Sequence, residues 1–341
     1  MKVLRIFGFI ISMLLAMLIA LYMYYLYTPK LKVPDLPGSF QQHNMDIAGL
    51  NRNFFSYRPV NLPLNAPVFF VLHGSTQTAS DMRQNVAFEF ESLADRFGFI
   101  VVYPNGYDKH WNDCRASADY RANTENVDDI AFFRAMIKYF SNNDQADPNS
   151  IFVTGYSNGG HMAYKLAMET PELVKAIAPI AANMPVVTSL DCNKMGIAVS
   201  VAILNGRNDP INPYDGGSVE ILGNTSRGSV LSTDATINYW LALAGKNQSE
   251  TLAKKVFVHP EVDGNPETQV IETRWNNADF AIRLFDLKGA GHVVPSKLAH
   301  FPRILGSGAA DVSGPQVITE FFLSQLKRGS RQPLKKLTEI D

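Results

Sequence analysis

Short apolar runs, each stopped by a turn signal and each followed by apolar residues at helical spacing, recur along most of this chain. Residues 68–72 end at His73-Gly74, and 99–103 end at Pro104-Asn105-Gly106. Runs at 151–154, 176–182 and 198–204 have the same character. Between them the spacing predicts helices from an N-cap at Ser80 to about Arg96, then over 127–140, 160–168, 233–244 and 316–327. A strand that is apolar on both faces needs cover on both faces. The alternation therefore implies a mostly parallel central sheet between two helical layers. Segments 270–275 and 280–287 alternate like paired strands. A chain of 341 residues, 46% of them hydrophobic, can bury one large core, which suits a single α/β domain. In such sheets the chemistry gathers at the carboxyl ends of the strands.

The N-terminus has a different character. Ile6 to Tyr27 contains no charged residue. As a helix it would be about 33 Å long, enough to cross the hydrocarbon of a bilayer. Lys2 and Arg5 precede it, and Tyr22, Tyr24, Tyr25 and Tyr27 gather at its far end, where phenol rings suit a membrane interface. A cleaved signal segment is the competing reading, but the run is long and lacks an A-x-A pattern. An uncleaved transmembrane anchor is expected, with the catalytic domain outside the cytoplasm. Lys30 and Lys32 on the far side weaken the charge argument for that orientation. Three prolines, Pro29, Pro34 and Pro37, mark a stiff linker. The expected organisation is an anchor or signal segment over 1–27, a linker over 28–40, a catalytic domain over 41–327 and a polar tail over 328–341.

A net charge of −1 offers no electrostatic reason for a nucleic-acid partner. No His/Cys/Asp spacing suggests a metal site, no glycine-rich loop suggests phosphate binding, and no cofactor is required. The two cysteines, Cys114 and Cys192, both fall in loops between core elements. They either pair or stay free.

Gly155-Tyr156-Ser157-Asn158-Gly159 follows an apolar strand and opens an amphipathic helix. In that context G-x-S-x-G is informative: an immediate strand-to-helix turn strains the central residue and points its hydroxyl outward. Glycine is expected at 155 and 159 because a β-carbon there would meet the neighbouring turn. A serine hydroxyl needs a base, and the base needs an acid to orient it. Among seven histidines, His292 lies at a late strand-to-loop junction after the flexible Gly289-Ala290-Gly291. The acid belongs just past the run 198–204, where Asp209 sits; Asp191 precedes that run and Asp215 lies further on. The chain order Ser157, Asp209, His292 fits an α/β-hydrolase fold. Backbone N–H groups of Asn158 and of Ser75, in the loop after the first strong strand, are the expected oxyanion donors. Thr76, Tyr156, Trp111 and Asn112 are candidates to contact substrate, although Trp111 would equally serve to anchor its own loop. Asp128 and Asp129 begin a helix and read as structural, with Asp128 a candidate to tie down the Trp111 loop.

These residues resemble the polyhydroxybutyrate depolymerase and feruloyl esterase-like α/β hydrolases. The resemblance rests on Leu72-His73-Gly74-Ser75-Thr76, Tyr103-Pro104-Asn105-Gly106 with Trp111-Asn112-Asp113, and Asn126-Val127-Asp128-Asp129. It continues through Gly155 to Met162, Asn205-Gly206-Arg207-Asn208-Asp209 and Gly289-Ala290-Gly291-His292. It implies a serine esterase with the same three catalytic residues and an ester as substrate: a hydroxyalkanoate oligomer, a feruloyl sugar or acetylated xylan. Two positions depart from the family: Ser75, where it often carries cysteine, and Val294-Pro295, where it often carries Trp-Pro. Both would border the acyl pocket.

Overall fold

The computed structural model describes residues 2–245, 253–262 and 264–328. The polar tail expected after Arg328 lies outside them. Helix α1 (Lys2–Tyr25) leads into ten strands of one sheet: β1 (Ser39–Ile47), β2 (Leu50–Arg58), β3 (Val68–Leu72), β4 (Ile100–Pro104), β5 (Ile151–Tyr156), β6 (Ala176–Ile180), β7 (Ser200–Gly206), β10 (Ala253–Val258), β11 (Gln269–Asn276) and β12 (Ala281–Lys288). A separate two-stranded ribbon joins β8 (Gly217–Ser218) to β9 (Ser229–Val230). The large sheet runs β1-β2-β4-β3-β5-β6-β7-β12-β11-β10. Its middle, from β4 to β12, is parallel, and the antiparallel pairs lie at its two ends. This is the α/β-hydrolase architecture, with β5, the strand that leads into Ser157, near the centre.

Strand periodicity sorts the core into two layers. Val68, Phe70 and Leu72 point to one face with Phe132, Met136, Met162 and Trp240. Those residues come from α5 (Asp129–Asp144), α6 (Asn158–Glu169) and α7 (Thr233–Gly245). Phe69 and Val71 point to the other face with Met82, Phe90, Phe321 and Phe322. Those belong to α2 (Ala79–Asn85), α3 (Glu89–Phe97) and α8 (Gly314–Leu326). A short α4 (Arg121–Thr124) sits in the polar loop after β4.

Three elements differ from the sequence reading. The helix expected from Ser80 to Arg96 is two helices. Thr78, not Ser80, caps the first through a reciprocal capping box with Asp81. Ala87 (φ 49°) and Phe88 (φ 58°) then turn left-handed before α3. Met82, Val86 and Phe90 all stay in one core layer across the break, so the apolar spacing carries no trace of it. The β1–β2 hairpin went unpredicted because β1 is polar and mostly exposed. Strand β10 is fully exposed at the opposite edge and equally lacks a burial pattern.

The apolar stretch Arg5–Tyr25 is long enough to cross a membrane and has a mean hydropathy of 2.5. None of it is buried against the rest of the chain. The following segment runs along the domain instead of standing free. Leu31 exchanges two hydrogen bonds with the Gln84 side chain, at 2.9 and 3.2 Å, Leu36 packs on the core, and the Gly38 N–H donates to the Tyr57 hydroxyl.

Candidate active site

Ser157 stands between β5 and α6 at φ 55°, ψ −117°, outside the ordinary regions for a residue with a β-carbon. The turn is tight enough to explain its glycines. A β-carbon on Gly155 would collide with the backbone of Gly159, and one on Gly159 would lie 2.6 Å from the carbonyl oxygens of Leu72 and His73. The helix that follows presents its N-terminus to the same point, where its dipole favours negative charge.

The turn after β7 carries Asp209. Its Oδ1 accepts the N–H groups of Ile211 and Asn212, each at 2.8 Å. That leaves Oδ2 for His292 Nδ1, at 2.7 Å. His292 follows β12 and is buried. Its backbone is fastened on both sides: its N–H donates to Leu305 O at 2.7 Å, and its carbonyl accepts the Tyr156 hydroxyl at 2.8 Å. The Tyr156 ring lies 4.9 Å from the imidazole. The residue before Ser157 therefore holds the histidine in place. Among the described residues no hydrogen bond joins the Ser157 hydroxyl to His292, a contact that in unliganded hydrolases often tightens only with substrate. The other acids are placed elsewhere. Asp191 adjoins the disulfide, its N–H bonded to Cys114 O; Asp215 is exposed; Asp286 is held bidentate by Arg207.

The Asn158 and Ser75 N–H groups meet no acceptor among the described residues. His73 shapes the Ser75 loop. Its Nδ1–H donates to Gly74 O at 2.8 Å and its Nε2 accepts the Gly106 N–H at 2.9 Å. These partners assign a neutral ring with the proton on Nδ1. Burial pushes its pKa down to about 4. A β-carbon at Gly74 would lie 2.9 Å from the Tyr156 ring, so the loop needs glycine to reach this position. Thr76 is exposed on the loop at φ 64°, its N–H bonded to Lys109 O at 3.0 Å.

Trp111 and Asn112 do not face a groove. Trp111 is fully buried, with Nε1 donating to His73 O at 3.0 Å. Asn112 is buried too, and its side chain donates to Val127 O. The loop that carries them is internal scaffolding. Asp129, not Asp128, ties it down by accepting the Asn112 N–H at 2.8 Å, while Arg52 neutralises Asp129 at 2.7 Å. Asp128 caps α5 through the Ala131 N–H.

Sequence reasoning missed the role of the Asn158 side chain. It accepts the Trp111 N–H at 2.8 Å and donates to Asp113 Oδ2 at 2.6 Å. Asp113 also binds Arg115 at 2.6 Å and the Tyr120 hydroxyl at 2.7 Å. All four side chains are buried. Burial alone would raise the Asp113 pKa, but the Arg115 guanidinium overrides it and holds the carboxyl well below the usual range. Between Asp113 and Arg115 stands Cys114, which forms a disulfide with Cys192.

His161, one turn after Ser157, is buried and its Nδ1 has no hydrogen-bond partner among the described residues. Burial first, then the Arg115 charge, pushes its pKa down to about 3. Both His73 and His161 are thus neutral in the fold and gain protons more readily in the unfolded chain. Stability is full above their ordinary pKa of 6.5 and falls as pH drops toward about 4 for His73 and about 3 for His161. Each group has a limiting slope of roughly 1.4 kcal/mol per pH unit. Urea unfolding at pH 7 and pH 5 is expected to show this loss. His161→Phe is expected to flatten the slope by roughly 1 kcal/mol per pH unit; an unchanged slope would refute the assignment for that residue.

Among the described residues no cluster of His, Cys, Asp or Glu could hold a metal ion. Residues 54–227, just over half the chain, match the family model described as esterase PHB depolymerase. The chain is 23% identical over 308 residues to a putative esterase, NocK, of Nocardia uniformis, covering 87% of this chain and 86% of the relative. It is 22% identical to poly(3-hydroxyalkanoate) depolymerase C of Paucimonas lemoignei, covering 81% and 66%. It is 30% identical to an acetylxylan esterase of Coprinopsis cinerea, covering 72% and 66%. Among solved structures it is similar to the acetyl xylan esterase from Aspergillus awamori, with a TM-score of 0.49, 20% identity and coverage of 76% and 96%.

Proposed function

Because the chain belongs to the esterase PHB depolymerase family, we propose that it hydrolyses carboxylic esters through an acyl-enzyme on Ser157. The observation that carries this reading is the 2.7 Å contact between Asp209 and His292, on the loops after β7 and β12, with His292 fastened to Tyr156, the residue before the strained Ser157 turn. His292 Nε2 takes the serine proton as the hydroxyl oxygen attacks the ester carbonyl. The tetrahedral oxyanion is held by the N–H groups of Ser75 and Asn158. Collapse expels the alcohol, which receives the proton from His292. Water then repeats the sequence against the acyl-enzyme and releases the acid. Asp209 keeps the imidazole in the productive tautomer and stabilises its charged form.

The proposed substrate is an oligomeric hydroxyalkanoate ester, as the depolymerase relatives suggest. Acetylated xylan is a second reading, favoured by the 30% identical acetylxylan esterase. We read the N-terminal helix as an uncleaved anchor that leaves the catalytic domain outside the cytoplasm, where a disulfide such as Cys114–Cys192 persists. A fluorophosphonate probe tests the chemistry. It is expected to label the protein once, at Ser157. A protein that kept the fold as a tethered binding module would take no label.

A further inference from the structure

The loop that follows the catalytic histidine packs against the last turn of the N-terminal helix. The Arg303 guanidinium lies 4.4 Å over the Tyr24 ring. Between loop and helix runs a trough of about 740 Å³, lined by Met23, Tyr24 and Tyr27 on one side and by Lys297, Phe301 and Arg303 on the other. No carboxylate lines it among the described residues. In the stretch Lys297-Leu298-Ala299-His300-Phe301-Pro302-Arg303-Ile304 a basic residue falls at every third position, with apolar residues between. Leu298 is 55% exposed and Ile304 43%.

The loop is not loose. Ser296 Oγ accepts the N–H groups of Leu298 and Ala299 and donates to Glu89. Gly291 N–H donates to Ser307 O, and His292 N–H to Leu305 O. Phe301 continues inward, its ring 5.5 Å from Tyr156, which in turn touches His292. One rigid loop therefore joins the outer surface to the catalytic base.

Depth follows from the anchor. The 21-residue span Arg5–Tyr25 is roughly 31 Å long as a helix, about the thickness of bilayer hydrocarbon. Tyr24 then sits at the headgroup level, and whatever packs on it sits there too. The fastened segment at Leu31 and Gly38 keeps the domain from swinging away. Exposed aliphatics interleaved with Lys297 and Arg303 match that environment: apolar tips toward the acyl boundary, cations toward anionic headgroups.

We propose that loop 297–304 rests in the bilayer surface and that the enzyme takes its ester from the membrane interface, through the trough between loop and anchor. The proposal rests on the reading of α1 as a retained anchor. The ester is one hydrophobic enough to partition into lipid, which a hydroxyalkanoate oligomer can do and acetylated xylan cannot, and the bilayer carries anionic headgroups.

The test uses the full chain in phosphatidylcholine–phosphatidylglycerol vesicles. Both native cysteines are paired, so a single introduced thiol takes a fluorophore cleanly. Three variants are labelled: Leu298→Cys on the loop, Leu14→Cys within the helix, and Leu64→Cys, exposed ahead of β3 at the opposite end of the sheet. Lipids bearing a nitroxide near the headgroup are expected to quench the Leu298 probe and not the Leu64 probe, and lipids bearing one deep in the acyl chain are expected to quench the Leu14 probe. Quenching at Leu14 with none at Leu298 would overturn the loop assignment and leave the anchor standing. No quenching at Leu14 would remove the anchor and this inference with it, without touching the esterase chemistry. In a second arm, Leu298→Asp combined with Ile304→Asp should lower hydrolysis of vesicle-borne p-nitrophenyl laurate by about tenfold, the scale expected for two aliphatic side chains losing partial burial. Hydrolysis of p-nitrophenyl acetate in water should hold. Equal rates on the laurate for variant and native chain would refute interfacial uptake.

Discussion

Ser157→Ala is expected to lower kcat on any ester by about a million-fold, to the level left by substrate binding and the oxyanion donors alone. The expectation follows from roles that act as a unit. Without the hydroxyl, His292 has no proton to take and Asp209 no imidazole charge to stabilise. Asp209→Ala should therefore cost less, about ten-thousand-fold, and the double variant no more than Ser157→Ala by itself. Folding should be untouched. Alanine inherits the same strained backbone at φ 55° and loses no hydrogen bond that the hydroxyl makes among the described residues. Steady-state rates with a chromogenic ester, read beside urea midpoints, check both halves. Multiplicative losses in the double variant would mean that these side chains do not share one proton path.

Much of this site could be read from residue order, for a reason that the geometry makes plain. A parallel sheet puts every strand's carboxyl end on one edge, so chain positions just past 156, 206 and 288 must converge once the strands are paired. Glycine at 155 and 159 is legible because no other residue fits beside the backbone of the neighbouring turn. Legibility fails where a residue's surroundings come from distant parts of the chain. Trp111 among Asn112, Asp113 and Arg115 looks like the wall of a polar groove. It is buried because those charges neutralise one another inside the protein, an arrangement that no local pattern records. The same holds for Asn158: its place in the motif points to its backbone N–H, while its side chain serves a network that starts at residue 111. The break at Ala87 and Phe88 is hidden because the apolar spacing continues through it.

That network carries the second large expected effect. Asp113→Ala should destabilise the protein by about 3–5 kcal/mol, the usual cost of leaving a buried cation without its partner. Arg115 is buried, and among the described residues its side chain would keep only the Tyr120 hydroxyl, at 3.1 Å, beyond its bonds to Asp113. Asn158 would lose its 2.6 Å acceptor and keep longer bonds to Trp111 O at 3.2 Å and to the Tyr120 hydroxyl at 3.1 Å, which loosens the residue whose N–H is proposed to hold the oxyanion. Its kcat should fall as well, by up to about the hundred- to thousand-fold seen when an oxyanion donor is removed, with KM little changed. Adding Arg115→Met removes the stranded charge and should restore most of the stability. It should not restore kcat, because Asn158 still lacks its shortest bond, the one to Asp113. Urea unfolding separates the first effect and steady-state kinetics the second. If Asp113→Ala unfolds within 1 kcal/mol of the native chain and turns over at the native rate, the buried ion pair neither supports the fold nor positions the oxyanion donor. If the second substitution restores both together, the kinetic loss came from instability and not from a displaced N–H.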